Sequence, residues 1–240
     1  MPRTLFIAGL HLAEDRPETT ERFAQFLADT VPGADALYIL GDLFEYWAGD
    51  DGMVLDLPAR IVRLLRPAAR AAPTFFMHGN RDFMVASAFC AETGIRMIPD
   101  PTVIDLYGER TLLMHGDTLC TGDRAYLAFR AQVRSPAWQA AALARSLEER
   151  VAIAKDLRQK SEGAKGGKHD EIMDVAADAV EAAFVAAGCR QLIHGHTHRP
   201  GRHEHAAGGR ACLRWVLPDW YLTGGYLEAT AAGIRAVTLD

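Results

Sequence analysis

No stretch of the 240-residue chain approaches the ~18 consecutive apolar residues that would cross a bilayer. The first apolar run, Leu5 to Leu12, is short, and Glu14 and Asp15 follow at once. That pattern is not a secretory signal. Cysteine is sparse: Cys90, Cys120, Cys189 and Cys212 stand far apart without a C-x-x-C pair. Neither a zinc ribbon, a redox motif nor a disulfide-stapled scaffold is indicated. There is no basic excess either. The formal net charge of −5 gives no whole-protein nucleic-acid footprint, and no nucleic-acid partner is expected. Low-complexity tracts are absent, and the Gly-rich stretch Gly163–Lys168 lacks the pattern and preceding strand of a P-loop. The expectation is a soluble, cytoplasmic globular protein of one domain spanning 1–240, with attachment to a membrane surface left open.

What is present alternates. Short β-leaning runs at Thr4–Ala8, Ala36–Leu40, Thr74–Met77, Thr111–Met114 and Gln191–Ile193 each end abruptly in glycine and polar residues. Helical spacing fills roughly 18–30, 54–71, 84–93 and 170–187. Further β-like segments near 211–217, 220–228 and 233–239 follow Gly-Gly turn signals. This is an α/β chain, a mixed or two-sheet sandwich rather than a purely parallel sheet. Ligands in such folds sit at the carboxyl ends of strands. Residues 124–168 differ in character, with ten Lys or Arg against four acids, net +6, leaving −11 for the remainder. Leu143, Leu147, Val151 and Ala154 form an apolar helical stripe within them. The segment reads as a basic helical insertion capping the strand ends, or as a solvated helix packed on the core.

Five strand ends carry metal-binding residue types: Gly9-Leu10-His11, Gly41-Asp42, Gly79-Asn80-Arg81-Asp82, His115-Gly116-Asp117 and His194-Gly195-His196-Thr197-His198. A lone histidine near a strand is usually structural. Five such ends in succession are not explained that way. Mixed imidazole, carboxylate and amide donors suit Mn, Fe or Zn rather than Ca. The two oxygens of Asp42 can bridge two ions, and His196 and His198 can reach different ones. Two adjacent ions fit in-line phosphoryl displacement. Asp42, His115 and His196 are the candidate catalytic residues. His78 and His194 read as supporting residues behind the donors. His203 and His205 read as a solvated loop. Phe44, Tyr46, Trp47, Trp215, Trp220 and Tyr221 read as core and groove packing.

The succession resembles the motifs of the calcineurin-like metallophosphoesterases: D-x-H, G-D, G-N, H and G-H-x-H. The segments Leu40–Glu45, His78–Phe83, Met114–Cys120 and His194–Pro200 more specifically resemble the UDP-2,3-diacylglucosamine diphosphatases of the lipid A pathway. Arg81 after the G-N pair is part of that likeness, which runs over essentially the whole chain. The resemblance implies an αββα sandwich with a helical cap at 124–168. It implies a two-Mn²⁺ site and hydrolysis of the UDP-lipid to UMP and 2,3-diacylglucosamine 1-phosphate. One ion would be held by His11, Asp42 and His198, the other by Asp42, Asn80, His115 and His196. Substrate contacts would fall on Asn80, Arg81, Asp123, Ser161, Lys165, Lys168 and His196. Arg81 could instead be a surface residue paired with Asp82. A monomer, peripheral on the inner membrane of a Gram-negative bacterium, is implied as well.

One position departs. Where the family pattern begins D-x-H, this chain has Gly9, which has no side chain to coordinate an ion, so the first site is expected to be weakened. The chain is then a catalyst carrying a natural or introduced change, or a lipid-nucleotide binder without turnover. A phosphoesterase acting on a soluble nucleotide is a further alternative.

Overall fold

The computed structural model describes residues 1–165 and 174–239, the side chains of 160–165 excepted. Eleven strands fall into two sheets. The first contains β1 (Thr4–Ile7), β2 (Ala36–Leu40), β3 (Thr74–Met77), β4 (Arg96–Met97), β10 (Gly225–Thr230) and β11 (Gly233–Thr238), in the order β11-β10-β1-β2-β3-β4. The second contains β5 (Thr102–Leu106), β6 (Glu109–Met114), β7 (Gln191–His194), β8 (Gly201–Ala207) and β9 (Arg210–Val216), in the order β5-β6-β7-β9-β8. The centres, β1-β2-β3-β4 and β6-β7-β9, are parallel, and the remaining strands add antiparallel edges.

Side-chain alternation along each strand sets the layers. Leu5 and Ile7, with Leu37, Ile39 and Phe76, face a cluster shared with α1 (Pro17–Gln25), α2 (Asp56–Ala71) and α3 (Ser87–Thr93). Phe6, Ala8, Leu40 and Met77 point the other way and meet Leu113 and Ile193 of the second sheet. On that sheet's outer face, Leu112, Met114 and Leu192 pack against Val180 and Phe184 of α7 (Ala177–Ala187). The layers run helix, sheet, sheet, helix, as the αββα expectation requires.

Between β6 and α7 the described residues form three cap helices: α4 (Arg124–Val133), α5 (Pro136–Leu143) and α6 (Leu147–Lys165). The stripe read across Leu143–Ala154 as one helix is broken between α5 and α6. A capping box breaks it: Glu149 N–H donates to Ser146 Oγ at 3.2 Å and Ser146 N–H to Glu149 Oε2 at 3.0 Å. Asp123 and Ser135 cap α4 and α5 in the same manner, accepting from Tyr126 N and Trp138 N. The expected strand near 220–228 begins only at Gly225, and the expected loop around His203 and His205 is edge strand β8. The segment read as helix from 170 starts at Ala177, its residues 170–173 lying outside the described part. No described helix is long and apolar enough to cross a membrane.

Candidate metal centre

The parallel strands β1, β2 and β3 and the parallel pair β6 and β7 end at one edge of the sandwich, so their loops meet there. Two glycines make the approach possible: a Cβ on Gly41 would stand 2.5 Å from Gly79 Cα. The loops 41–44 and 79–82 are tied together by Asp82, fully buried, which accepts from Leu43 N at 2.7 Å and Gly79 N at 2.8 Å. Arg81 therefore does not pair with Asp82. Its guanidinium lies 3.7 Å from Glu45 and lines the cavity described below.

Four of the expected donors sit in the left-handed backbone region: His11 (φ 49°), Asp42 (φ 55°), His196 (φ 67°) and His198 (φ 53°). For non-glycine residues that region costs on the order of 1–2 kcal/mol each. Strain gathered at one spot marks a site whose geometry outweighs local preference. The donor atoms converge. Asp42, His115 and His196 present ligand atoms all within 4.8 Å of one another. Asn80 Oδ1 joins them, 3.1 Å from His115 Nε2 and 3.0 Å from His196 Nδ1. On the other side of Asp42, His11 Nε2 lies 3.8 Å from Asp42 Oδ2 and 3.3 Å from His198 Nε2. Ring nitrogens and carboxylate oxygens turned inward at such spacings fit two divalent cations sharing Asp42.

Carbonyl or carboxylate oxygens lie behind three of the rings. His115 Nδ1 faces the Leu40 carbonyl at 2.9 Å, His11 Nδ1 faces Glu45 Oε2 at 3.4 Å, and His198 Nδ1 faces Asp219 Oδ2 at 3.9 Å. The bond to the Leu40 carbonyl sets the His115 tautomer and orientation, leaving its Nε2 lone pair for an ion. Burial opposes ionisation of Asp42, but His115, His11, His196 and Arg81 outweigh it and hold the carboxyl well below its ordinary range. Glu45 behaves alike: burial works against the charge, while His11, Arg81 and Arg16 bring it down to about 2.

Position 9 faces this centre. A Cβ built on Gly9 (φ +64°) would stand 3.9 Å from both His11 Nε2 and His198 Nε2, with no atom closer than 3.7 Å. A side chain there would enter the first donor set. The described donors of that set are three: His11, Asp42 and His198. Tyr221 lies beside the pair, its ring stacked on His11 at 5.3 Å and on His198 at 5.1 Å, and the Arg16 guanidinium stands 5.3 Å from the centroid of the same ring.

The centre opens into a cavity of about 860 Å³ roofed by the cap. Its far walls are apolar: Trp47, Phe83 and Met84 from the body, Phe129, Trp138, Ile153 and Leu157 from the cap. Tyr126 stands at the junction, stacked over His196 and bonded to buried Asp117. Burial and Asp117 push its phenol upward, so the hydroxyl stays protonated. Four of the cap's arginines are engaged with the body. Arg130 Nε donates to Asp117 at 2.7 Å, Arg134 Nη2 to Gly79 O at 2.8 Å and Arg150 Nη1 to Asp51 Oδ1 at 2.8 Å, and Arg158 Nε lies 3.0 Å from Glu45 Oε1.

The structure thus brings together His11, Asp42, Asn80, His115, His196 and His198, with Arg81 and Asp123 on the cavity wall. Ser161 and Lys165 fall where side chains are not described, and Lys168 lies outside the described residues. Both supporting histidines face away from the donors. His78 Nε2 meets the Val85 carbonyl at 2.7 Å, and buried His194 meets Gly195 O at 2.8 Å and Arg214 at 3.1 Å. His203 and His205 lie on β8, where His205 accepts from Arg214 Nε at 3.1 Å. Sequence reasoning passed over Glu45, Tyr126 and Arg158 as site residues and read Tyr221 as packing. Glu45 alone had a local signal, an acid three residues after Asp42.

Comparison with known proteins agrees with this geometry. Residues 2–200 match the family model described as calcineurin-like phosphoesterase. A protein of Xanthomonas campestris pv. campestris named UDP-2,3-diacylglucosamine hydrolase is 52% identical over 238 residues, covering 96% of each chain. One of the same name from Stenotrophomonas maltophilia is 46% identical over 245 residues, covering 98% of each. Converging strand-end donors, the αββα layers and the match over residues 2–200 lead to one conclusion: the chain belongs to the calcineurin-like phosphoesterase family.

Proposed function

We propose that this chain hydrolyses the diphosphate of UDP-2,3-diacylglucosamine, giving UMP and 2,3-diacylglucosamine 1-phosphate for lipid A synthesis. The observation that carries the reading is a juxtaposition. Two inward-facing donor sets lie at the mouth of an aromatic- and aliphatic-walled cavity of about 860 Å³. A soluble nucleotide has no use for such walls, whereas two acyl chains do. The substrate named for the relatives has both halves.

His11, Asp42 and His198 would hold one Mn²⁺, and Asp42, Asn80, His115 and His196 the other. Bound there, the ions supply positive charge toward phosphate oxygens and lower the pKa of water. The chain's own residues bind and orient. Arg81 offers a planar fork for phosphate oxygens. Asn80, a neutral donor, keeps negative charge down beside an anionic substrate. Asp123, Ser161, Lys165 and Lys168 complete the expected contacts with the nucleotide-sugar half. Water adds to one phosphorus and the bridging P–O bond breaks. The departing group is a phosphate monoester with a second pKa of about 6, so no acid need protonate it. Asp42, His115 and His196 serve by holding charge in place.

Phe129, Leu143 and Ile153 are exposed apolar residues of the basic cap, which supports a peripheral place on the inner membrane of a Gram-negative bacterium. All the donors come from one chain, and we take the protein to act as a monomer in the cytoplasm. UMP release from the diacyl substrate, set beside release from a water-soluble UDP-sugar, tests the reading. The lipid is expected to be preferred by orders of magnitude in kcat/KM, and preference for the soluble compound would contradict it. Gly9 favours a second reading, a binder without turnover. Tight lipid-nucleotide binding with no UMP at any Mn²⁺ concentration would mark it.

A further inference from the structure

Glu45 follows Asp42 by three residues on the loop after β2 and is buried, its side chain 3% exposed. No donor set includes it. Its two oxygens nevertheless reach four groups from three segments of the chain. Oε2 accepts from Arg16 Nη2 at 2.6 Å and stands 3.4 Å from His11 Nδ1. Oε1 stands 3.0 Å from Arg158 Nε, on cap helix α6, and 3.7 Å from Arg81 Nη1. A buried carboxylate is costly unless paired, and a simple ion pair would need one arginine. Here one carboxylate touches the outer nitrogen of a metal-facing histidine and the guanidinium beside Asn80. It also touches a residue of the cap.

We propose that Glu45 is a positioning residue that couples the cap and the phosphate-facing Arg81 to the first donor set through His11. The inference deepens the proposed function and rests on its metal reading. With its proton on Nδ1, His11 faces the carboxylate 3.4 Å away and turns the Nε2 lone pair toward Asp42 and His198. The opposite oxygen holds Arg81 and Arg158 in one orientation before substrate arrives. Cap placement and affinity for the first ion are therefore linked.

Glu45→Gln keeps the shape and removes the charge. Metal-free parent and variant, both carrying Gly9→Asp so that the first donor set is complete, are titrated with Mn²⁺ and the free ion counted by EPR. One of the two dissociation constants is expected to rise about tenfold, as for other partners of a ligating histidine, with the other unchanged. At saturating Mn²⁺, KM for the lipid is expected to rise severalfold with kcat nearly constant, since the arginines act on bound substrate. Unchanged Mn²⁺ affinity and unchanged KM in folded Glu45→Gln overturn the proposal. Should that variant not fold, Arg158→Met takes its place. It is expected to weaken the same Mn²⁺ constant from the cap, and an unchanged constant overturns the coupling. A parent that binds no Mn²⁺ at all contradicts the metal reading itself, and the inference with it.

Discussion

The Nε2 atoms of His11 and His198 face each other 3.3 Å apart, and a Cβ at position 9 would stand 3.9 Å from each. Two imidazole lone pairs do not hold that separation without a proton or a cation between them. Position 9 is thus directed at the point where the first donor set is short of charge. Asp tolerates the left-handed backbone of Gly9 better than most residues. Gly9→Asp is expected to tighten Mn²⁺ binding at this set at least tenfold, about 1.4 kcal/mol, whereas Gly9→Ala leaves it unimproved. Calorimetric titration of the metal-free proteins measures the difference.

Trp138 on α5 meets Phe83 at 6.1 Å between ring centroids in the cavity wall. If acyl chains lie there, Trp138→Ala removes apolar wall worth about 2 kcal/mol. KM for the diacyl substrate is expected to rise at least tenfold, while an analogue with chains too short to reach Trp138 shows little change. Steady-state kinetics on the two substrates checks this.

Arg150 fastens the start of α6 to the body through Asp51 and the Ala48 carbonyl. Asp51 is largely exposed, at 59% of its side-chain area, so the pair adds little to global stability. Arg150→Met is expected to leave Tm within a few degrees. It should make the cap more open to limited proteolysis and raise KM for the lipid. An unchanged digestion pattern would count against a latch.

Burial drives His194 down to about 3, with Arg214 and His196 acting in the same direction and its bond to Gly195 opposing. A folded pKa below the unfolded one, about 6.5, means that the unfolded chain binds the extra proton. This contribution to stability is intact above the unfolded value and is lost as pH falls toward 3. Between pH 6.5 and pH 5 the loss from His194 is about 2 kcal/mol. Urea denaturation at the two pH values should show a decline smaller by that amount in His194→Gln.

The five strand ends were legible because each short apolar run stops at a glycine beside a polar donor, a pattern that survives in one dimension. Strand β8 was not, since Arg202, His203, Glu204 and His205 put polar groups on both faces of an edge strand. The break before α6 was legible in Ser146-x-x-Glu149 but was outweighed by an apolar stripe that continues through it. The left-handed geometry of His11, Asp42, His196 and His198 has no sequence signal, because these residue types do not demand it. Tyr221 comes to His11 from more than two hundred residues away, and Arg130, Arg150 and Arg158 of the cap find acids in the body. Four arginines of the basic insertion, Arg130, Arg134, Arg150 and Arg158, help to seat the cap.

The central claim is that this centre hydrolyses a lipid-linked UDP with its first metal set impaired at position 9. UMP release from UDP-2,3-diacylglucosamine with Mn²⁺, by the chain as it stands and by Gly9→Asp side by side, tests it most directly. The account predicts kcat higher in the Asp form by about a hundredfold or more, on the order of 3 kcal/mol of transition-state stabilisation. Equal turnover by both forms would contradict the assignment of position 9 to the first donor set. No UMP from either would contradict the function.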